Sequence, residues 1–379
     1  MPAAKRKAPS KTPLKMPEFN LDSFKKDNGM DKISVKDKQL CWIPFNKDFQ
    51  DETGLPGIPK GYVTVFKGFS DTGKSTSIYE AAVGCQKLGI LPVIIDTENA
   101  WNWEHAKDIG LEFEDVVDEE TGEVIDYKGY FIYMNTMSLA MKYGMYDYVE
   151  KKEFKDPKKM RWEACIEDCS RYVDELLDLQ QDGKLDHELC FMWDSIGTLK
   201  CYKRITSDAD NNAWDAQAIE RNFMGIVNSR IPASKKEGTK YTNTFLAIQK
   251  IRKNIGASMP STDNKNGDAI YHAARLVFHM GGVAARGTTN ISATSGGNKF
   301  FYGTESRVKI EKNHINGVTW EGKLISTVHG YVSSKRKEEY LKEHRAFFLE
   351  KLNASGNAEI ELVEDEPTEE EIRESLVSK

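Results

Sequence analysis

The chain is 379 residues long, 39% hydrophobic and 30% charged, with a formal net charge of −6, a composition suited to one large α/β core or two smaller ones. No apolar run approaches the roughly 18 residues of a membrane span and the first residues lack an apolar signal-peptide stretch, so a cytoplasmic protein without membrane contact is expected. The six cysteines (Cys41, Cys85, Cys165, Cys169, Cys190, Cys201) lie in apolar segments with no CxxC pair and no His cluster nearby, and all six read as buried thiols. Cys165 and Cys169 are one helical turn apart, yet two ligands on one helix without partners more often belong to a core than to a metal site.

Residues 1–15 hold Lys5, Arg6, Lys7, Lys11 and Lys15 and no acid, while Pro2, Pro9 and Pro13 oppose helix; a disordered basic arm is expected over 1–28. Residues 29–60 form an N-terminal segment without strong periodicity. Tyr62–Phe66 is a short β-branched strand, and the loop after it runs Gly68, Phe69, Ser70, Asp71, Thr72, Gly73, Lys74, Ser75, Thr76, matching GxxxxGK[ST] at every fixed position. Ser75–Leu88 follows as a helix with apolar Ile78, Ala81, Ala82 and Cys85. A glycine-bounded loop between strand and helix turns backbone N–H groups inward around phosphate oxygens, and the helix dipole adds to them. The reading is a nucleoside-triphosphate site in which Lys74 reaches the β- and γ-phosphates and the Ser75 hydroxyl holds Mg²⁺.

Three further strands end in polar groups. Leu91–Glu98 is apolar until Asp96 and Glu98, Leu189–Asp194 ends in an acid followed by Ser195, and Thr244–Gln249 ends in an amide. An acid closing such a strand holds the Mg²⁺ shell, the role assigned to Asp194; Glu98 is assigned to orient the attacking water, and Gln249 to sense the γ-phosphate. Asp96 competes with Glu98, because alternation puts both on one face. In an open parallel sheet these ends converge on one crevice.

Beyond Gln249, the cations Lys250, Arg252, Lys253 and Lys265 flank a segment rich in Gly, Asn, Ser and Pro (Gly256, Pro260, Ser261, Asn264, Asn266, Gly267), a composition for a mobile loop whose cations meet phosphates. Gly281–Gly297, with five glycines, is expected to be a flexible excursion in which Arg286 adds a phosphate contact. Trp320–Gly330 alternates as a strand. Ser334–Leu352 is amphipathic, with Tyr340, Leu341, Phe347, Phe348 and Leu352 on one face, and is expected to cap the core as a helix within 331–356. From Glu359 onward nine acids face only Arg373 and Lys379, a net −7 where the whole chain carries −6. This tail, 357–379, is either a solubilising segment or a polyanion that competes with nucleic acid for a basic groove.

The order of these motifs resembles the RecA family of homologous-recombination ATPases, in particular the bacteriophage recombinases of the UvsX type. Gly54-Leu-Pro-Gly-Ile-Pro-Lys-Gly61 is similar to the entry to the RecA core, Asp96-Thr-Glu-Asn-Ala100 to its catalytic-glutamate segment and Trp193-Asp-Ser-Ile-Gly-Thr-Leu199 to its metal-binding strand. Ile248-Gln-Lys-Ile-Arg-Lys-Asn-Ile-Gly256 is similar to the stretch leading into its second DNA-binding loop, and Thr304–His314 to the strand that contacts ATP in the neighbouring subunit. The resemblance implies an α/β fold, a RecA-like core over 61–330 with a mostly parallel central sheet flanked by helices, preceded by an N-terminal segment that contacts the next protomer. It implies ATP and Mg²⁺, a helical filament of this chain on single-stranded DNA, pairing with homologous duplex DNA, and single-strand-binding and loader proteins as partners. Lys200–Asn212, with Lys203 and Arg204, then corresponds to the first DNA loop, Ile255 or Met259 to a wedge between bases, and Lys312 to a cation reaching the next protomer's ATP.

Departures from the family pattern are His314, where a second lysine is usual, and His105, with Trp101 and Trp103 close by, where an aromatic stacks on adenine. The 96-residue spacing from Glu98 to Asp194 exceeds that of RecA and points to an insertion around 118–159. The alternatives are another RecA-fold ATPase, either a hexameric helicase-like motor or a regulatory ATPase, and a non-catalytic filament protein that binds ATP as a structural ligand.

Overall fold

Period-two alternation along the apolar strands builds two cores at once. The computed structural model describes residues 20–27, 39–207, 209–236, 238–253, 262–282, 287–295 and 298–354. The expected basic arm up to residue 19, the acidic tail, Arg286, Ile255, Met259 and the rest of 254–261 lie outside the described residues. Nine strands form the main path of the central sheet: β1 (Val63–Gly68), β2 (Leu91–Asp96), β3 (Ile132–Asn135), β4 (Leu189–Ile196), β5 (Thr244–Lys253), β6 (Leu276–Met280), β7 (Asn298–Asn313), β8 (Glu321–Thr327) and β9 (Gly330–Ser333). Their spatial order is β9-β8-β7-β6-β1-β5-β4-β2-β3, parallel from β6 to β3 and antiparallel from β6 to β9.

Val65, Val93, Ile95, Phe191, Trp193, Phe245, Ala247 and Val277 point to one face, where the helices Ile166–Gln181 and Ala213–Gly225 cover them. Phe66, Ile94, Cys190, Met192, Leu246, Ile248 and Phe278 point to the other, under the helix Thr76–Leu88. Strands buried on both faces need continuous apolar runs, which is how β2, β4 and β5 read in the sequence. The result is a mixed α/β structure with a large central sheet flanked by helices.

Several local expectations differ from the structure. β1 extends two residues further, to Gly68, and the following helix begins at Thr76 with Ser75 as its cap. β5 does not end at Gln249: it continues to Lys253 and pairs antiparallel with Thr262–Asn264, so Lys250 and Arg252 lie on a hairpin rather than in a loop. Ile248 and Ile251 are three apart in Ile248–Lys253, so no period-two pattern marked the extension, which is held by pairing with Thr262–Asn264.

Thr288–Ser295, expected as part of a flexible excursion, is a strand on β7, favoured by its β-branched residues. Trp320–Gly330 is a strand arm that turns at Val328 and His329 and returns as β9. The C-terminal helix is broken into Lys337–Glu343 and Arg345–Ala354 around His344, whose ring stacks on His329 at 4.0 Å. The stretch 118–159 is not wholly outside the core. It supplies β3 at the sheet edge and the helix Thr136–Tyr143, while the hairpin Phe113–Val117 with Val124–Gly129 stands apart. Cys41 is exposed and the other five cysteines are buried.

The N-terminal segment packs on its own chain's core. Trp42–Pro44 pairs with Gly57–Pro59, and the Pro44 carbonyl lies where a Cβ on Gly84 would come within 2.3 Å. Glu80 ties this segment to the last strand: its carboxylate accepts N–H bonds from Asn46 (2.9 Å) and Tyr331 (3.0 Å). Burial lifts the Glu80 carboxyl to about 7 despite those two donors. The native protein therefore holds this proton more tightly than the unfolded chain, so the group's contribution to stability is full below about 4.5 and is lost as pH rises through about 7. Glu80→Gln leaves one N–H without an acceptor and is expected to cost about 1–3 kcal/mol in acid. Because the variant cannot titrate, its deficit in urea midpoint against wild type should narrow as pH rises from about 5 to about 8.

Candidate functional site

The carboxyl ends of β1, β2, β4 and β5 meet at a cavity of about 330 Å³ lined by the loop Ser70–Thr76 together with Tyr79, Glu98, His105, Asp194 and Lys250. The C-terminal strands brace the loop from behind. Tyr331 Oη donates to the Gly73 carbonyl at 3.0 Å, and a Cβ on Gly73, whose φ is +79°, would fall 1.8 Å from Ser326 Oγ. Only glycine fits there. Gly68 is equally confined, since its Cβ would lie 2.3 Å from the Met280 carbonyl.

Lys74 is buried, and its Nζ folds back to donate to the Phe69 carbonyl, with Thr72 Oγ1 at 3.4 Å. Burial lowers its ammonium to about 8, although Asp194 and Glu98 pull the other way. Ser75 Oγ donates to Asp194 Oδ2 at 2.6 Å. Burial raises Asp194 to about 6, against this hydrogen bond. Strong acceptors and a cation thus stand within one cavity.

The structure separates Asp96 from Glu98. Asp96 is buried, and its oxygens accept from the backbone N–H groups of Glu98 (3.1 Å), Ala100 (3.2 Å) and Trp101 (2.9 Å) and from Tyr133 Oη (3.1 Å). Its carboxylate is committed to shaping the turn. Glu98 instead faces the cavity, where its Oε1 accepts from Ser195 Oγ and pairs with Lys250 Nζ at 2.8 Å.

Two residues that sequence reasoning missed complete the site. Thr97 Oγ1 accepts from Trp193 Nε1 (3.1 Å) and from the Ser195 N–H (3.0 Å), locking the end of β2 to that of β4. Tyr79, one helical turn after Ser75, is sandwiched between Trp101 (4.2 Å) and His105 (4.3 Å). The Nε2 of His105 is buried without a partner among the described residues. Trp103 points elsewhere, stacked on Tyr127 at 4.3 Å in the outer aromatic cluster. The turn spacing from Ser75 to Tyr79 was a signal available in the sequence; the bonds of Thr97 were not.

Gln249 is not in this cavity. Alternation along β5 sends Ile248 and Lys250 to the cavity face and Gln249 to the opposite one, where its Nε2 donates to the carbonyls of Gly267 (2.8 Å) and Lys265 (3.4 Å). Its Oε1 is buried without a partner among the described residues.

Of the cations expected on nucleic acid, Arg204, Arg252 and Lys265 line a second cavity of about 620 Å³ together with Lys200. Arg204 is held there by Asp210 and by Asp215 at 2.5 Å. Lys203 lies outside it, with Nζ 3.9 Å over the Trp214 ring. Lys250 belongs to the first cavity, the Lys253 backbone closes β5, and Ile255 is outside the described residues. The two cavities are wired together: Ser195 Oγ, bound to Glu98, is 2.9 Å from Thr198 Oγ1 on the second wall, and the Lys265 N–H donates to the Lys250 carbonyl at 2.9 Å.

Lys312 and His314 are far from the loop. They sit near the amino end of the parallel strands, where Lys312 Nζ donates to the carbonyls of Tyr271 (3.2 Å) and His272 (3.0 Å) and the exposed His314 follows β7.

No protein-family model matches the chain. Two RecA proteins are similar to it in part: that of Aquifex aeolicus (strain VF5) is 36% identical over 84 residues, 22% of this chain and 24% of the relative. That of Aquifex pyrophilus is 36% identical over 108 residues, 27% of this chain and 31% of the relative. The chain thus spans under a third of the curated relatives it matches, and the local identity supports a relation to RecA. No helix among the described residues is long and apolar enough to cross a membrane.

Thr97 offers a test of the architecture that is independent of function. Thr97→Val removes the acceptor of two buried donors and is expected to cost about 1–3 kcal/mol in urea unfolding. Thr97→Ser, which keeps the hydroxyl, should recover most of that loss.

Proposed function

We propose that this chain is a RecA-family ATPase, similar in motif order to the bacteriophage UvsX-type recombinases, that binds single-stranded DNA as a filament and promotes homologous pairing and strand exchange in the cytoplasm. The observation that carries the reading is the meeting of Lys74, Ser75, Asp194 and Glu98 in one cavity beside a second cavity lined by Lys200, Arg204, Arg252 and Lys265. The RecA proteins matched over part of the chain point the same way.

The backbone of Gly68, Phe69, Ser70, Asp71, Thr72, Gly73 and Thr76 would cradle the phosphates, with Lys74 leaving the Phe69 carbonyl to meet them. The ring of His105, backed by the buried Tyr79, stands at the mouth where a nucleobase would lie. The donor set fits magnesium, since Ser75 Oγ and Asp194 Oδ2 are hard oxygens only 2.6 Å apart. Magnesium bound there would neutralise phosphate charge. Glu98 would orient water for attack on the terminal phosphate, a task of positioning more than covalent chemistry. Gln249, bonded to Gly267 and Lys265, would hold the returning limb of the hairpin in its DNA-binding position. Arg252, Lys253 and Lys265, with Lys203, Arg204 and Ile255, would contact the strand.

ATP hydrolysis stimulated by single-stranded DNA is the decisive assay. Lys74→Ala is expected to abolish turnover, and a wild-type ATPase indifferent to DNA would overturn the recombinase reading while sparing the nucleotide site. Phosphate binding favours the charged form of Lys74, so a proton is taken up on binding wherever Lys74 starts neutral. Nucleotide affinity should therefore be flat below about pH 8 and fall by up to about tenfold per pH unit above it. Titrations from about pH 7 to about pH 9.5 read this slope.

A further inference from the structure

Lys250 is the cation of the nucleotide cavity that the GxxxxGK[ST] pattern does not supply. It lies on β5 beside Ile248, with Nζ 2.8 Å from Glu98 Oε1 and both side chains about three-quarters buried. The same carboxylate oxygen accepts from Ser195 Oγ. A carboxylate oxygen that already meets an ammonium and a hydroxyl is oriented toward them, which leaves it less free to position a water.

The surroundings of Lys250 give this pair an alternative. A terminal phosphate placed against Lys74 would enter the same 330 Å³ space with more negative charge than one carboxylate and three acceptor oxygens. Exchange of Glu98 for phosphate would keep the Lys250 ammonium paired. The backbone of Lys250 is also the point where β5 touches the returning limb, because its carbonyl accepts the Lys265 N–H at 2.9 Å, and the neighbouring Gln249 grips the Gly267 carbonyl at 2.8 Å. Lys265 in turn lines the basic cavity with Arg204 and Arg252.

We propose that Lys250 is a phosphate-gated latch: without a terminal phosphate it pairs with Glu98 and holds that carboxylate out of use, and with one it turns to the phosphate, frees Glu98 and repositions the Lys265 limb of the groove. The latch rests on the ATPase reading. It assigns terminal-phosphate sensing to the charged residue on the cavity face of β5, while Gln249 on the other face acts as a positioning residue for the hairpin.

The test compares ADP with a non-hydrolysable ATP analogue on the full chain, by calorimetric titration with and without a single-stranded oligonucleotide. Lys250→Met is expected to weaken the analogue about tenfold, the low end for one charge-assisted hydrogen bond, with ADP unchanged. The analogue should then no longer tighten oligonucleotide binding, and Lys250→Arg should restore both effects. Glu98→Gln should strengthen analogue binding in the wild-type background by releasing Lys250, and should do so no longer beside Lys250→Met. Simple repulsion between Glu98 and phosphate would leave that gain intact in the double variant and overturn the latch. Equal losses for both nucleotides, or none for either, would also overturn it while leaving the ATPase reading in place. Wild-type protein that binds neither nucleotide would overturn both.

Discussion

The inner parallel strands β1, β2, β4 and β5, covered by apolar packing on both faces, leave their ends as the main place for polar chemistry. The apolar side chains of β1, β2, β4 and β5 are committed to one of two cores, and the charged side chain buried within β1, Lys67, is kept there by an ion pair with Glu311 at 2.7 Å. At the carboxyl ends the residues Ser70–Thr76 line an open cavity instead. Asp194, Glu98 and Lys250 all stand at this rim. Their grouping follows from register: Asp194 is level with Asp96, and Lys250 with Gly68.

Placing charges at a half-closed rim strains them electrostatically. Lys74 is pushed toward its neutral form and Asp194 toward its protonated one, each by loss of water, although each partly offsets the other. These are groups whose ordinary state is restored by a ligand carrying phosphate and a divalent cation. The turn that presents Glu98 is stabilised separately, by the carboxylate of Asp96 on three backbone N–H groups and by Thr97 bridging to β4. Position is therefore set by residues that do not face the cavity, and the residues that face it are free to exchange partners.

The loop and the apolar strands that end in Asp194 and Glu98 were legible because each is a local pattern, glycine spacing or an apolar run ending in a charge; the order of those strands in the sheet was not. The choice between Asp96 and Glu98 was not, since it depends on which carboxylate the following turn consumes. The faces on which Gln249 and Lys250 lie were not legible for a different reason. Alternation along Ile248–Lys253 puts Gln249 and Lys250 on opposite faces, but which face meets the loop is decided by the packing of Ile248 under the helix Thr76–Leu88. The antiparallel strand Thr288–Ser295 and the break at His344 depend on long-range partners, β7 and His329, that no local window contains. Lys203 shows the limit of reading charge from composition: beside Arg204 in sequence, it lies over Trp214 and outside the cavity that Arg204 lines.

Lys312 and His314 carry the argument beyond one chain. β7 runs antiparallel to β6, with Lys312 opposite Val277 and Val277 level with Val65, three residues before the strand reaches Gly68. That is about 10 Å along the strand axis, on a residue separated from β1 by β6 and already bonded to two carbonyls at the amino end of the sheet. No side-chain rotation brings this ammonium to the loop of its own subunit. A role for Lys312 at phosphate, as the family resemblance implies, therefore demands a second copy whose loop faces this end of β7. The two surfaces in such a contact are different parts of the molecule, one at the carboxyl and one at the amino end of the strands. A contact of that kind is head-to-tail, and repeated without closure it generates a helix rather than a dimer.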